Sequence, residues 1–87
     1  MEIKKFNITE VTWLDNKPIG KANSIIADVQ LSSEHITQEA TISFIDNSNL
    51  LVNLHEPNYR VAPGQACVIY SNDKILGGGW ISGNLSS

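Results

Sequence analysis

The chain of 87 residues carries six Lys and Arg against nine Asp and Glu, which gives a formal charge of −3 at pH 7, and 41% of its residues are hydrophobic. This length predicts a single domain over residues 1–87 and excludes a self-sufficient multi-substrate enzyme, because a chain this small buries only about 60% of its unfolded surface. The acidic balance disfavours autonomous nucleic-acid binding, which usually requires a basic surplus.

Apolar and polar residues alternate along most of the chain, which predicts β-strands and no helix. The first strand is predicted at Val11–Leu14, with Phe6–Ile8 as a candidate extension. The next two are predicted at Ile25–Leu31 and Ala40–Phe44, where every second side chain is apolar and would share one face. Three further apolar segments complete the predicted strands: Leu50–Leu54, Ala66–Tyr70 and Ile75–Ile81.

Turn-forming residues separate these segments, at positions 15–18, 46–49, 63–64 and 71–74. Asn and Asp bond to their own backbone and tolerate positive φ, so they can close hairpins. About six short strands at this spacing predict an all-β fold, a small antiparallel barrel that is closed or partly closed, because closure removes strand edges that would otherwise aggregate. An open sandwich is the alternative. The longest irregular connection is predicted at His55–Gln65, which contains two prolines.

Few residues could carry catalysis or hold a metal. Cys67, the only cysteine, lies in a predicted apolar strand, where a free thiol is usually buried and inert, so we predict no catalytic residue. Zinc sites need three or four ligands at recognisable spacing, and the acidic residues around His35 and His55 do not show it. We therefore predict no metal site. With one cysteine no internal disulfide can form, and no apolar run approaches the ~20 residues of a membrane span.

Three consecutive glycines, Gly77–Gly79, resemble a phosphate-binding loop at first sight. Such a loop opens a helix and supplies Lys and Ser or Thr, whereas Trp80-Ile81-Ser82 follows here. Glycines late in a strand more often permit a bulge, a bend or a close backbone approach at a barrel corner. We therefore predict a structural role for them.

Charge is distributed unevenly along the chain. Residues 22–59 contain no Lys or Arg and five acidic residues. Any contact with phosphates must therefore come from the two ends of the sequence, whose cations can act beside an aromatic side chain that stacks on a base. The predicted RNA-contact residues are Lys17, Lys21, Tyr59, Arg60 and Lys74.

Two blocks of the sequence match a known family. Residues 61–70 read V-A-P-G-Q-A-C-V-I-Y and residues 74–81 read K-I-L-G-G-G-W-I. Together they strongly resemble the C-terminal signature of bacterial tRNA-specific 2-thiouridylases, in which P-G-Q-x-x-V-x-Y precedes L-G-G-G-x-I. Weaker similarity at Val11–Leu14 and Leu54–Pro57 extends the resemblance over essentially the whole chain.

The resemblance implies a parent enzyme of three parts: an ATP-pyrophosphatase domain, a central domain and a C-terminal β-barrel like domain 2 of elongation factors. That enzyme would 2-thiolate the wobble uridine of tRNA, with ATP, Mg²⁺ and a persulfide sulfur donor as cofactors. The S-G-G-x-D-S nucleotide loop and the two catalytic cysteines of the family are absent from this chain. The resemblance therefore implies a barrel that is not an enzyme by itself, binds no cofactor, and lies in the cytoplasm.

Its implied partners are tRNA and the catalytic and central domains, with no membrane contact. Within the signature we expect a turn at the Pro-Gly pair, tight strand packing at the glycines and a tryptophan that caps the core. The residues concerned are Pro63, Gly64, Gln65, Gly77, Gly78, Gly79 and Trp80. Where family members tend to carry a basic V-K-x-R strand, residues 29–32 read V-Q-L-S, which removes charge that would face RNA. The barrel would assist tRNA positioning and active-site closure. A stand-alone protein-interaction barrel without RNA binding is the alternative.

Overall fold

Six antiparallel β-strands form from the alternating segments. The computed structural model describes residues 2–14, 23–32 and 34–87, with Asn84 described by its backbone alone. The strands in this part of the chain are β1 (Ile3–Trp13), β2 (Ser24–Leu31), β3 (Gln38–Phe44), β4 (Leu50–Asn58), β5 (Ala66–Ser71) and β6 (Lys74–Ser86). Among the described residues there is no helix of the length and hydropathy that crossing a membrane would require.

The six strands close into a barrel in the order β1-β4-β3-β2-β5-β6. Closure is made by the first and last strands, which pair antiparallel with Lys5 opposite Ser86. The predicted small antiparallel barrel is therefore confirmed, the structure shows that it is closed, and the open sandwich is wrong. Every described strand has a hydrogen-bonded neighbour on each side, although β5 pairs only with residues 28–31 of β2.

The core fills the barrel with the inward-facing half of each strand. On β2, Ala27, Val29 and Leu31 are buried while Asp28 and Gln30 face outward, as the alternation predicts. The largest fully buried side chains are Phe6, Ile3, Ile8, Ile42, Leu50, Leu54, Ile69, Val29, Val52 and Cys67. Burial of this apolar surface is the main favourable term in the stability of the barrel.

Strand β1 is longer than the sequence predicts, and a bulge explains the difference. Thr9 lies opposite Trp80 and Thr12 opposite Gly78, so two residues of β1 face a single residue of β6. Glu10, one of the two, has a φ of 52°. The extra residue shifts the inward-facing positions by one. The alternation of apolar and polar residues therefore changes phase between the first and second halves of β1.

The predicted irregular connection at His55–Gln65 is wrong in its first part, because β4 continues to Asn58. Pairing with β1 moves from Asn53 opposite Lys5 to Asn58 opposite Ile3, so the residues between form a wide irregularity in the ladder. Pro57 lies in this irregular stretch, one of the few places in a sheet that tolerates a residue without an N–H donor. The connection itself spans residues 59–65.

The predicted turns at 46–49 and 71–74 are both present. The Asp46 carboxylate accepts hydrogen bonds from the Ser48 backbone N–H at 2.8 Å and from the Asn49 side chain at 2.9 Å. Asn72 and Asp73 join β5 to β6 with φ values of 49° and 69°, the pair of positive values that a type I′ hairpin turn requires. The turn predicted at 15–18 lies outside the described residues.

Candidate functional site

The Pro-Gly pair forms the predicted turn. Gly64 has a φ of 89°, and a Cβ built on it would meet nothing within 4 Å. The Gln65 N–H donates to the Ala62 carbonyl at 3.4 Å across the turn. Pro at the second position and a positive-φ residue at the third are typical of a type II turn. Glycine is therefore required at position 64 by its backbone angle and not by lack of space.

The turn is attached to the barrel through β6. The Gly64 N–H donates to the Ile81 carbonyl, and the Ile81 N–H donates to the Gln65 carbonyl, both at 2.8 Å. These two bonds place the start of β5 against β6. The two blocks of the family signature, which are separate in sequence, are thus joined directly by backbone hydrogen bonds.

The three glycines of β6 lie where strands approach closely. A Cβ on Gly79 would contact the Ile8 side chain and lie 2.7 Å from the Thr9 carbonyl oxygen, and a Cβ on Gly77 would lie 2.6 Å from the Thr12 carbonyl oxygen. Real Cβ atoms do not approach backbone oxygens so closely. The expected close backbone approach is therefore present on both sides of β6, to β1 at Gly77 and Gly79 and to β5 at Gly78.

A shallow apolar groove of about 380 Å³ lies on the outer surface over these glycines. Gly78 is paired with Val68 of β5 and Thr12 of β1, and a Cβ on it would lie 2.8 Å from the Cys67 carbonyl oxygen of β5. The groove is lined by Glu10, Thr12, Leu14, Ala66, Cys67, Val68, Ile75, Gly77, Gly78, Gly79 and Trp80. We call this feature the triglycine groove.

Trp80 does not cap the core, contrary to the expectation from the sequence. It is 49% exposed and lines the triglycine groove, because alternation along β6 turns Ile81 inward and Trp80 outward. Leu14 and Ile75 beside it are also exposed, at 67% and 46%. The Leu14 N–H donates to the Leu76 carbonyl at 2.7 Å, which extends the β1–β6 ladder and holds Leu14 at the groove.

Cys67 is fully buried and points into the barrel. Burial raises the pKa of its thiol from 9.0 to about 12, because the thiolate would lose its hydration. The thiol therefore stays protonated at neutral pH, and a protonated, buried thiol is a poor nucleophile.

An exposed polar cluster joins β3 and β4, and sequence reasoning missed it. His55 Nδ1 lies 2.7 Å from a carboxylate oxygen of Glu39, and His55 Nε2 lies 3.0 Å from the Thr41 hydroxyl. His55 and Glu39 are separated by 16 positions in the sequence, and only the register of β3 against β4 brings their side chains together. Within the described residues, no group of three or more His, Cys, Asp or Glu side chains could hold a metal ion.

Asn58 organises the connection that carries Tyr59 and Arg60. Its buried side chain donates to a carboxylate oxygen of Glu34 at 2.6 Å and to the Gln38 side chain. The Arg60 backbone N–H donates to the side-chain oxygen Oδ1 of Asn58 at 2.6 Å. Tyr59 is 67% exposed and lines a shallow cleft of about 280 Å³ together with Arg60 and Glu34.

The barrel separates the predicted RNA-contact residues. Tyr59 and Arg60 follow β4 at the end of the barrel that also carries the 59–65 connection, which we call the lower end. Lys74 begins β6 at the opposite, upper end, next to the 71–74 turn. The six residues of β5 place these ends about 17 Å apart. Lys17 and Lys21 lie outside the described residues.

Acidic and basic side chains lie on different sides of the barrel. The acidic segment 22–59 folds into β2, β3 and β4, which are consecutive in the barrel order. Asp28 and Glu39 lie directly opposite each other on β2 and β3. Strand β1 carries Lys4 and Lys5 on the other side of the barrel, where β5, β6 and β1 are consecutive. We call these the acidic side and the signature side.

Comparison with known proteins gives consistent matches. The profile of the family described as the aminomethyltransferase beta-barrel domain matches residues 3–81. The tRNA-specific 2-thiouridylase MnmA of Rickettsia prowazekii is 37% identical over 86 residues, which cover 99% of this chain and 24% of the relative. The enzyme of the same name from Ehrlichia ruminantium is 45% identical over 78 residues, which cover 88% of this chain and 20% of the relative.

The chain thus spans about a quarter or less of the length of these relatives, and it matches their C-terminal region. The resemblance to the C-terminal part of tRNA-specific 2-thiouridylases, inferred from the two signature blocks, is confirmed. The match over residues 3–81 of 87 shows that the chain belongs to the aminomethyltransferase beta-barrel domain family.

Proposed function

We propose that this chain is a single-domain, non-catalytic C-terminal barrel of a tRNA-specific 2-thiouridylase, and that it helps to position tRNA and to close the active site formed by the rest of the enzyme in the cytoplasm. One observation carries the proposal: the relative from Rickettsia prowazekii aligns with 99% of this chain, while this chain accounts for only 24% of that relative. In an enzyme whose reaction uses ATP, Mg²⁺ and a persulfide donor, the binding sites for these three would lie in the three quarters of the polypeptide that this chain does not match.

The chemistry of the barrel supports a non-catalytic role. Sulfur transfer through a persulfide needs a cysteine that is accessible and able to form a thiolate. Cys67 is buried, and its pKa is raised to about 12. Its position supports packing in the core, and the cysteines of the parent reaction would be supplied by other domains.

The separation of acidic and basic side chains indicates which surfaces of the barrel could face tRNA. Phosphates are attracted by Lys and Arg and repelled by carboxylates. We therefore place tRNA against the two ends of the barrel and the β1 cations Lys4 and Lys5, away from the acidic side. The proposed contacts are Lys17, Lys21, Tyr59, Arg60 and Lys74. Since Lys74 and Arg60 lie at opposite ends of the barrel, they would contact different phosphates.

The alternative, a stand-alone protein-interaction barrel, is not favoured by these comparisons. The family match covers residues 3–81, and both relatives named above are longer enzymes with this region at their C-terminal end.

Replacement of the matched region tests the proposal. In the Rickettsia prowazekii enzyme, the C-terminal segment that aligns with this chain is exchanged for residues 1–87. The chimera is incubated with tRNA, ATP, Mg²⁺ and a persulfide donor, and 2-thiouridine is measured by mass spectrometry of the digested tRNA. We expect thiolation by the chimera and none by the same enzyme truncated before the barrel.

The isolated 87-residue chain is the second arm of this experiment. It should give no 2-thiouridine under the same conditions, and a Cys67→Ala chimera should be as active as the unmodified chimera. Thiolation by the isolated chain would contradict the non-catalytic role. An inactive chimera with a correctly folded barrel would contradict the assignment to this enzyme.

A further inference from the structure

The triglycine groove exposes three large apolar side chains in one place. Leu14, Ile75 and Trp80 are between 46% and 67% exposed and line the same depression. Scattered surface apolar residues are ordinary, whereas a contiguous apolar patch on a small domain marks an interaction site.

The charge of the groove argues against nucleic acid as its occupant. Among the described lining residues, Glu10 is the one charged side chain, and it would repel a phosphate. Surfaces that stack single-stranded bases combine aromatic side chains with nearby positive charge. Trp80 supplies the aromatic group here, but the positive charge is missing from the described lining. An apolar protein segment fits this chemistry better.

The length of the relatives indicates where that segment is found. About three quarters of the Rickettsia prowazekii enzyme lies outside the region that matches this chain. A domain appended to a larger polypeptide buries part of its surface against that polypeptide, and such interfaces have a small apolar centre within a more polar rim. The lining of the triglycine groove, which combines Leu14, Ile75 and Trp80 with the polar residues Glu10 and Thr12, is consistent with such an interface.

We infer that the triglycine groove is the surface on which the barrel binds the preceding part of the 2-thiouridylase, through an aliphatic or aromatic side chain inserted between Trp80 and Leu14. This inference rests on the proposed function and assigns a face of the barrel to it. It leaves the two ends and the cations of β1 for tRNA. The glycines themselves are required by strand packing, since Gly77 and Gly79 admit β1 and Gly78 admits β5.

Cysteine labelling in the chimera described above tests the inference. Leu14→Cys is introduced into the chimera and into the isolated chain, and its rate of reaction with a maleimide is followed by mass spectrometry of the peptide that contains position 14. Ile36→Cys is the matched control, since Ile36 is 66% exposed and lies outside the groove. Cys67 is buried and reacts slowly in both proteins.

We expect position 14 to react at least about tenfold more slowly in the chimera than in the isolated chain, because thiol labelling follows access. Position 36 should react equally in both. In a second variant, Trp80→Ala, the protection of position 14 in the chimera should be lost while the melting temperature of the isolated chain stays the same.

Four results would overturn the inference. Equal rates at position 14 in a chimera that thiolates tRNA would reject the groove and leave the proposed function intact. Protection that appears only when tRNA is added would assign the groove to RNA. Protection that rises with the concentration of the isolated chain would assign it to a second copy. A folded chimera that does not thiolate tRNA would reject the proposed function, and the groove assignment with it.

Discussion

Glycines are required in this barrel for two different reasons. Gly64 needs a backbone angle, since its φ is 89° and the space around it is open. Gly79 needs space, since a Cβ there would contact Ile8 and the backbone of Thr9. The first requirement could be read from the sequence, because Pro-Gly predicts a turn with positive φ at its third position. The second could not, because it depends on how β1 lies against β6.

Gly79→Ala should destabilise the barrel by about 1–3 kcal/mol, the usual cost of adding a methyl group where the core has no room. The colliding atom at 2.7 Å is a backbone oxygen, so the neighbour cannot rotate away. Gly83→Ala on the same strand is the control, because a Cβ at Gly83 meets nothing within 4 Å. Urea denaturation of the three proteins measures the difference, and equal destabilisation by both variants would contradict the packing argument.

The buried thiol of Cys67 should make stability depend on alkaline pH. Its pKa is about 12 in the folded barrel and 9.0 when unperturbed, so the folded state holds a proton that the unfolded chain releases between these values. The contribution of the thiol is therefore complete below pH 9 and is lost as the pH rises toward 12, by up to about 1.4 kcal/mol per pH unit.

Comparison with Cys67→Ala isolates this effect from the titration of Lys and Tyr. Unfolding free energies of both proteins are measured by urea denaturation at pH values from 7 to 11. The unmodified chain should lose stability relative to the variant above pH 9. Parallel curves over the whole range would show that the thiolate forms without cost in the folded barrel.

At the scale of the elements, the β5–β6 hairpin depends on two residues with positive φ. Asn72 and Asp73 occupy these positions, and Gly is favoured over Asp at the second position of a type I′ turn. Asp73→Gly should therefore stabilise the barrel by a few tenths of a kcal/mol to about 1 kcal/mol. Asp73→Ala should destabilise it, because Ala tolerates positive φ less well. Thermal denaturation distinguishes the two, and the same direction of change for both would contradict this account.

The strands were predictable where a single alternation runs without interruption. On β2, apolar residues at every second position identified the inward face of the strand, and the structure confirms it. On β1, the bulge at Glu10 divides the alternation, so only separate halves could be recognised. On β4, Pro57 indicated a loop, because proline lacks the donor that a regular ladder needs. The irregular pairing with β1 removes that need, and only the register reveals it.

Sites that depend on neighbouring strands were less predictable than the strands themselves. The contact between His55 and Glu39 requires the register of β3 against β4. The groove beside Trp80 requires knowing that β1 and β5 lie on either side of β6. The barrel order is not the order of the sequence, since β4 lies between β1 and β3. Alternation shows which face of a strand is apolar, and it contains no information on which strand lies beside it.

For the molecule as a whole, the acidic side determines how strongly the barrel can bind RNA without its parent enzyme. Three consecutive strands carry carboxylates, and the net charge is −3. We expect the isolated chain to bind tRNA with a Kd of about 10⁻⁴ M or weaker at physiological salt, the weak limit of non-specific binding. Titration at low and physiological salt, followed by fluorescence anisotropy of labelled tRNA, measures this.

Substitutions at the two ends of the barrel should show which cationic residues contact phosphates of tRNA. The logarithm of the association constant for tRNA falls linearly with the logarithm of the salt concentration. Lys74→Gln and Arg60→Gln should each reduce the magnitude of this slope by about one, as expected for the loss of one phosphate contact. Glu39→Gln on the acidic side is the control and should leave that slope unchanged. Absence of binding even at low salt would remove direct tRNA contact from the proposed function.

The pairing of β1 with β6 places the start of β1 beside the end of β6, with Lys5 opposite Ser86. The chain could therefore be circularly permuted without loss of strand pairing. A short linker would join residue 87 to residue 1, and the new termini would lie in the 71–74 turn. Such a circular permutant would keep each strand pair described above. The same proximity means that polypeptide segments attached to β1 and to β6 would leave the barrel at one point on its surface.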